Sequence, residues 1–195
     1  MQASHERRPP PHFQSAAVLR VIVGLIFWLV LFVPRDLHAA EGYSVSQVQA
    51  AYLCSFTKYT QWPAGAFANG GAPIVIGMLG DDPFGAVLDR TVAGRSSQGR
   101  KVVIRRARDV NAVLNCQVVF ISSSEQGRLP GILAALRNRP VLTVCDADAL
   151  FDQGVMVKFS LVNETVRFEV NLGPAERAGI KLGSGMLGAA KRVAR

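Results

Sequence analysis

The sequence predicts an α/β fold in a single domain. Three observations carry that expectation. Short apolar runs alternate with helical patterns from Pro73 to Phe151, and strands alternating with helices imply parallel crossovers. Two alternating runs follow, Val155 to Val162 and Thr165 to Asn171, separated only by Asn163-Glu164, which signals an antiparallel hairpin. The 195 residues are 49% hydrophobic and 18% charged, enough for one packed core and wrong for a disordered chain or a coiled coil. The expected architecture is a three-layer sandwich, with a Rossmann-like, mostly parallel sheet and a C-terminal antiparallel hairpin.

The first forty residues are expected to lie outside that fold. Arg7, Arg8 and Arg20 form a basic region, and Val21 to Val33 is an unbroken apolar run. A membrane-spanning helix needs about 20 residues, so the run fits the core of a secretory signal better than a span. Pro34 breaks it, and Leu37-His38-Ala39-Ala40 offers small residues for cleavage after Ala39 or Ala40. Residues 1–40 therefore read as a signal peptide and 41–195 as the exported domain.

Removing that leader changes the chemistry on offer. The chain has 22 basic and 14 acidic side chains, and the leader takes four arginines and two acids, leaving 18 against 12, or +6 over 155 residues. All three histidines, His5, His12 and His38, go with it. Without histidine no Ser-His-Asp or Cys-His site can be built. No His-containing zinc site can form, no Cys-x-x-Cys pair replaces one, and no phosphate-binding glycine loop is present. Catalysis would have to rest on carboxylates alone, so the chain is not expected to be an enzyme or to need a cofactor or metal. Nucleic acid is not an expected partner for an exported chain.

The elements follow in order. Residues 44–61 are expected to be helical, because Val45, Val48, Tyr52, Phe56 and Tyr59 make one apolar stripe and Ser44 with Gln47 makes a capping box. Trp62-Pro63 ends that helix, and 64–72 is a loop. Strands are expected at 73–79, 101–106, 116–122 and 141–144, with helices at 82–91 and 130–137 and helical turns at 109–114 and 147–151. Past the hairpin, 174–179 and 185–193 read as helices.

The hairpin's two-residue loop sets its register. Phe159 should face Phe168 and Leu161 should face Val166 on one side; Lys158 should face Glu169 and Ser160 should face Arg167 on the other. The first side is core. The second is either a solvated outer face or a binding face.

Other features have two readings each. In Gly80-Asp81-Asp82-Pro83-Phe84-Gly85, Asp82 suits an N-cap, and the position after a sheet strand suits a ligand site. The basic run Arg100, Lys101, Arg105, Arg106 and Arg108 reads as a charge-guarded sheet edge or as a contact for an acidic partner. Cys116 and Cys145 should lie at opposite ends of parallel strands, too far apart to bridge. Cys54 lies half a turn from the apolar stripe, open to an intermolecular disulfide.

Several segments together resemble the YfiR-like family of periplasmic regulators. They are Val48 to Pro63, GDDPFG with Leu88-Asp89, Cys116 to Ser122, Val141 to Gly154 and, most closely, Val157 to Leu182 with Arg167-Phe168-Glu169, Asn171 and Arg177-Ala178-Gly179. The resemblance spans nearly all of residues 44–190. It implies a small, exported, often dimeric α/β domain that is no enzyme. It implies a partner as well: the periplasmic region of an inner-membrane diguanylate cyclase or sensor kinase, repressed on binding so that cyclic di-GMP falls and biofilm formation is restrained. Two departures stand out. The family often pairs the counterpart of Cys116 with a cysteine on the first sheet strand, where this chain has Gly77. Its usual Ser-Ser pair and Leu-rich last helix are replaced by Gly183-Ser184-Gly185-Met186-Leu187-Gly188.

On this reading the expected partner contacts are Tyr59, Trp62, Lys158, Arg167, Glu169 and Asn171. Trp62 reads more readily as a lid on the core than as a contact. The alternative is an envelope module for peptidoglycan fragments or a small anionic ligand, held by Arg177 and Lys181.

Overall fold

A computed structural model describes residues 43–195. The expected signal peptide, with the three histidines, lies outside the described residues. Helix α1 (Val45–Tyr59) opens the domain. Its capping box is formed: Ser44 Oγ accepts from the Gln47 amide, and Gln47 Oε1 accepts from the Ser44 amide. The chain continues through β1 (Thr60–Gln61), β2 (Ile74–Leu79), α2 (Ala86–Val92), β3 (Ser96–Ser97), β4 (Arg100–Ala107) and β5 (Val118–Ile121). It ends with α3 (Leu129–Leu136), β6 (Leu142–Cys145), α4 (Asp148–Asp152), β7 (Val157–Val162), β8 (Thr165–Asn171), α5 (Leu172–Arg177), β9 (Lys181–Leu182), α6 (Ser184–Ala189) and β10 (Arg192–Ala194).

Eight strands form one sheet in the order β10-β8-β7-β6-β5-β2-β4-β3. The run β4-β2-β5-β6-β7 is parallel throughout. Counted from β2, its order is 2-1-3-4-5, one of the two common orders of doubly wound sheets. β8 returns antiparallel on β7, and β10 adds parallel to β8. β1 and β9 make a separate two-stranded ribbon.

The central strands are buried on both faces, which is why they read as continuous apolar runs. Ile76 and Met78, with Val118, Phe120, Leu142 and Val144, face a layer made by α1, α2, α5 and α6. Val75, Leu79, Val119 and Ile121 face the other layer, made chiefly by α3 and α4. This is the expected three-layer α/β sandwich. The hairpin joins only the first core. Phe159 and Phe168 meet Tyr52 and Phe56 of α1, with Phe56–Phe168 edge to face at 5.1 Å and Tyr52–Phe168 at 5.2 Å. Such pairs add about 0.5–1.5 kcal/mol each beyond their burial.

The hairpin register is as expected, Lys158 opposite Glu169 and Phe159 opposite Phe168. Asn163 and Glu164 both take positive φ, 47° and 59°, as a tight two-residue hairpin loop requires.

Four expectations are corrected. The segment read as a helix over 185–193 splits: α6 stops at Ala189, and Arg192–Ala194 forms β10, because β8 offers an open edge. Asp82 does not cap the helix itself; Gly85 holds that position, and Asp82 Oδ1 accepts from the Phe84 and Gly85 amides in the preceding turn. The basic run guards an edge that is only partly open, since β3 pairs with the start of β4 at Ser96–Lys101 and Ser97–Arg100. Cys54 is buried rather than open, with its thiol 3.9 Å from the Thr91 carbonyl of α2.

Candidate functional site

Helix α1 delivers Tyr59 at its last turn, and Tyr59 is half-exposed. The Gly183 amide donates to the Tyr59 carbonyl at 2.7 Å. A Cβ on Gly183 would stand 3.0 Å from that carbonyl oxygen, and one on Gly185 would stand 2.9 Å from the Tyr59 ring. These two glycines therefore let α6 close against α1. Trp62 is half-buried, donates from Nε1 to the Gln117 carbonyl at 3.2 Å, and meets Phe67 edge on. Arg100 stacks on the other partner, 3.9 Å above the Phe67 ring. Trp62 thus closes the amino end of β5 as a lid, while Tyr59 faces outward.

The polar side of the hairpin is not solvated at its inner end. Lys158 is 8% and Glu169 6% exposed. Lys158 Nζ pairs with Asp148 of α4 and lies 3.2 Å from Glu169. Arg192 Nε, brought by β10, lies 2.6 Å from the other Glu169 oxygen. The Phe151 ring sits beneath both cations, 5.2 Å from Lys158 and 5.8 Å from Arg192. Burial pushes the Glu169 carboxyl up, but hydrogen bonds and charge from Arg192 and Lys158 outweigh it and hold it below its usual value. Burial likewise disfavours charged Lys158, and its bonds to Asp148 and Glu169 raise it above the usual lysine value. Lys158 and Glu169 therefore tie strands and helix together and offer no free charge. Arg167 stays exposed on this side, and Leu161 is 57% exposed on the opposite one. Asn171 is half-buried where β8 passes into α5, its amide donating to the Met156 carbonyl.

The two expected anion-binding residues are separated. Arg177, at the end of α5, lines a cavity of about 350 Å³. Lys181 lies in β9, exposed and outside that cavity. The sequence reading missed Arg137, which lines the same cavity from the end of α3. Its only signal was a basic residue closing a short helix.

The basic run is mostly engaged. Arg106 binds Asp82 at 2.6 Å and Asp89 through both oxygens, and these bonds hold the Asp82 carboxyl low against the opposing effect of burial. Arg105 donates to the Ala112 carbonyl, Arg100 to those of Asn69 and Ala72, and Arg108 pairs loosely with Asp81 at 3.4 Å. The GDDPFG turn is thus held as a structural brace.

All three cysteines are free and buried. Burial pushes the Cys116 thiol up to about 11 and the Cys145 thiol to about 12. The Gly77 position faces Cys116: a Cβ there would lie 3.0 Å from its sulfur. Among the described residues, no group of three or more Cys, Asp or Glu side chains could hold a metal ion. No helix among them is long and apolar enough to cross a membrane.

Residues 46–191 match the sequence profile of the family described as YfiR/HmsC-like. The chain belongs to that family. YfiR/HmsC-like proteins are periplasmic regulators in diguanylate cyclase signalling rather than enzymes. No protein with a curated description matches the chain by sequence. Among solved structures, a conserved domain protein from Vibrio cholerae superposes with a TM-score of 0.50 at 13% identity, over 78% of this chain and 61% of that one. An ABC domain from Streptococcus pneumonia, solved in complex with L-Trp, gives 0.48 at 11% identity, over 74% of this chain and 60% of that one. The chain thus spans about 60% of the length of these solved chains. At such identities the Vibrio likeness concerns the fold alone, and it places this YfiR/HmsC-like domain among α/β sandwiches.

Proposed function

We propose that this protein is a periplasmic regulatory binding protein that represses a membrane-bound diguanylate cyclase. It does so by holding the cyclase's periplasmic sensor region in its inactive arrangement. The reading is carried by the family match over residues 46–191. The hairpin supports it. The Asp148–Lys158–Glu169–Arg192 network stiffens a two-stranded arm that leaves Arg167 exposed on its polar side and Leu161 exposed on the opposite side. A preorganised arm with an exposed cation suits protein recognition, because little conformational entropy is lost on docking. Tyr59 is a second exposed anchor, while Trp62, Lys158, Glu169 and Asn171 act by positioning. The regulator works as a homodimer after export from the first forty residues' signal.

Repression is a population shift. The regulator must bind the inactive sensor arrangement more tightly than the active one, and swinging a two-state equilibrium from 1:99 to 99:1 takes about 10⁴-fold differential affinity. The mature domain should capture a membrane cyclase from solubilised envelopes, and deleting its gene should raise cyclic di-GMP. Arg167→Glu should weaken capture. No enrichment of a cyclase, with cyclic di-GMP unchanged in the deletion strain, would remove the reading.

A further inference from the structure

The cavity beside α3 and α5 has no role in the regulator reading. It opens at the amino ends of β6 and β7, where Val141 and Met156 form part of its wall. Doubly wound domains ordinarily bind ligands at the opposite, carboxyl ends of their strands. Leu133 and Leu136 of α3, with Met156 and Ala178, make an apolar floor. Arg137, which follows α3, and Arg177, which closes α5, both line it.

The charges are one-sided. No Asp or Glu lines the cavity. Among the described residues neither Arg137 nor Arg177 forms a salt bridge, while Asp81, Asp82, Asp89, Glu125, Asp148 and Glu169 are engaged by other cations. Arg177 is held over Gly173, where a Cβ would approach its Nη1 to 3.3 Å. Two guanidinium groups beside an apolar floor match an oxyanion on an apolar body. With no acid in the lining, the ammonium of a zwitterionic amino acid finds only the neutral side-chain oxygens of Asn138, Thr143 and Gln153 and no opposite charge. The volume of about 350 Å³ lies at the lower end for small-molecule sites, too small for a cell-wall fragment.

We propose that this cavity binds a small apolar oxyanion, a carboxylate or a phosphate ester without an ammonium group, with Arg137 and Arg177 holding the anion and Leu133, Leu136 and Met156 the body. The site does not depend on the regulator reading. The test titrates the protein with phenylacetate, phenyl phosphate, phenylalanine and benzyl alcohol, by calorimetry and by thermal melting. One or both anions should bind and raise the melting temperature, and which one does distinguishes carboxylate from phosphate chemistry. Phenylalanine and benzyl alcohol should bind about tenfold more weakly or worse. Arg137→Gln and Arg177→Gln should each weaken anion binding about tenfold, and Lys181→Gln should leave it unchanged. Amide NMR shifts on the unaltered protein should centre on Thr143 and Gly154, which line the cavity. Absence of anion binding, equal binding of benzyl alcohol, unaffected arginine variants, or shifts centred on Lys181 would each overturn the proposal.

Discussion

Gly77→Cys should create a disulfide to Cys116 and stabilise the domain only when oxidised. A Cβ at 77 would lie 3.0 Å from Cys116 Sγ, and a disulfide sets its Cβ and the far sulfur about 3 Å apart. The strands need not move to close the bond. It would staple a loop of about 40 residues, for which chain entropy gives about 4 kcal/mol. The same Cβ also meets Val113 Cγ1 at 3.0 Å and Val119 Cγ2 at 3.3 Å. Such crowding costs about 1–3 kcal/mol whatever the redox state. The net gain is about 2 kcal/mol oxidised, or about 4–8 °C in melting temperature for a domain of this size, and a net loss when reduced. Burial of Cys116 disfavours its thiolate, so the bond should form during oxidative refolding and only slowly in folded, reduced protein. Melting with and without reductant, plus thiol titration in denaturant, checks this. Gly77→Ala is the crowding control and should melt lower in both conditions. An oxidised variant that still titrates one thiol more than the three of the native chain, or that melts below its reduced form, would refute the geometry.

Three further outcomes follow from the same structure. Glu169→Ala leaves buried Lys158 with only exposed Asp148 and should cost about 3 kcal/mol in denaturant unfolding, the lower end for a broken buried pair. Glu169, Asp82 and Asp148 are all held below the usual carboxylate range. Their contribution to stability should be complete above about pH 5 and lost as pH falls through their depressed values. Lys158 is raised, so its share persists below the usual lysine value and is lost as pH rises past the folded one; stability measured against pH should fall at both ends, with a shallower acid limb in Glu169→Gln. Gly183→Ala drives a Cβ into the Tyr59 carbonyl and should cost about 1–3 kcal/mol. Gly185→Ala meets only a ring that can swing outward and should cost less, as paired melts would show.

The hairpin was legible because its alternation has a period of two and its loop has two residues, so a single pairing buries Phe159 and Phe168 together. The parallel core was legible because strands buried on both faces must be apolar throughout. The short edge strands were not. Ser96–Ser97 and Arg192–Ala194 take their form from the neighbour they pair with, and a three-residue stretch carries no period of its own. That omission misplaced Lys158 and Glu169, because Arg192 arrives on the strand that covers them. Cys54 was misread for a related reason: one helix's stripe shows the face it buries on the sheet, and gives no hint of a second helix packed on its flank. Arg177 was read with Lys181, its neighbour in sequence, whereas the cavity it lines is shared with Arg137 from a distant helix.

The aromatic cluster of Tyr52, Phe56, Phe159 and Phe168 joins the domain's first helix to its last antiparallel pair. Over a hundred residues separate the two halves of that contact, so closing it is slow and comes late in folding. Until the hairpin exists, α1 keeps an apolar face bare. A chain arrested before Phe168 should therefore collapse without locking, prone to stick to other chains and suited to capture by a holdase.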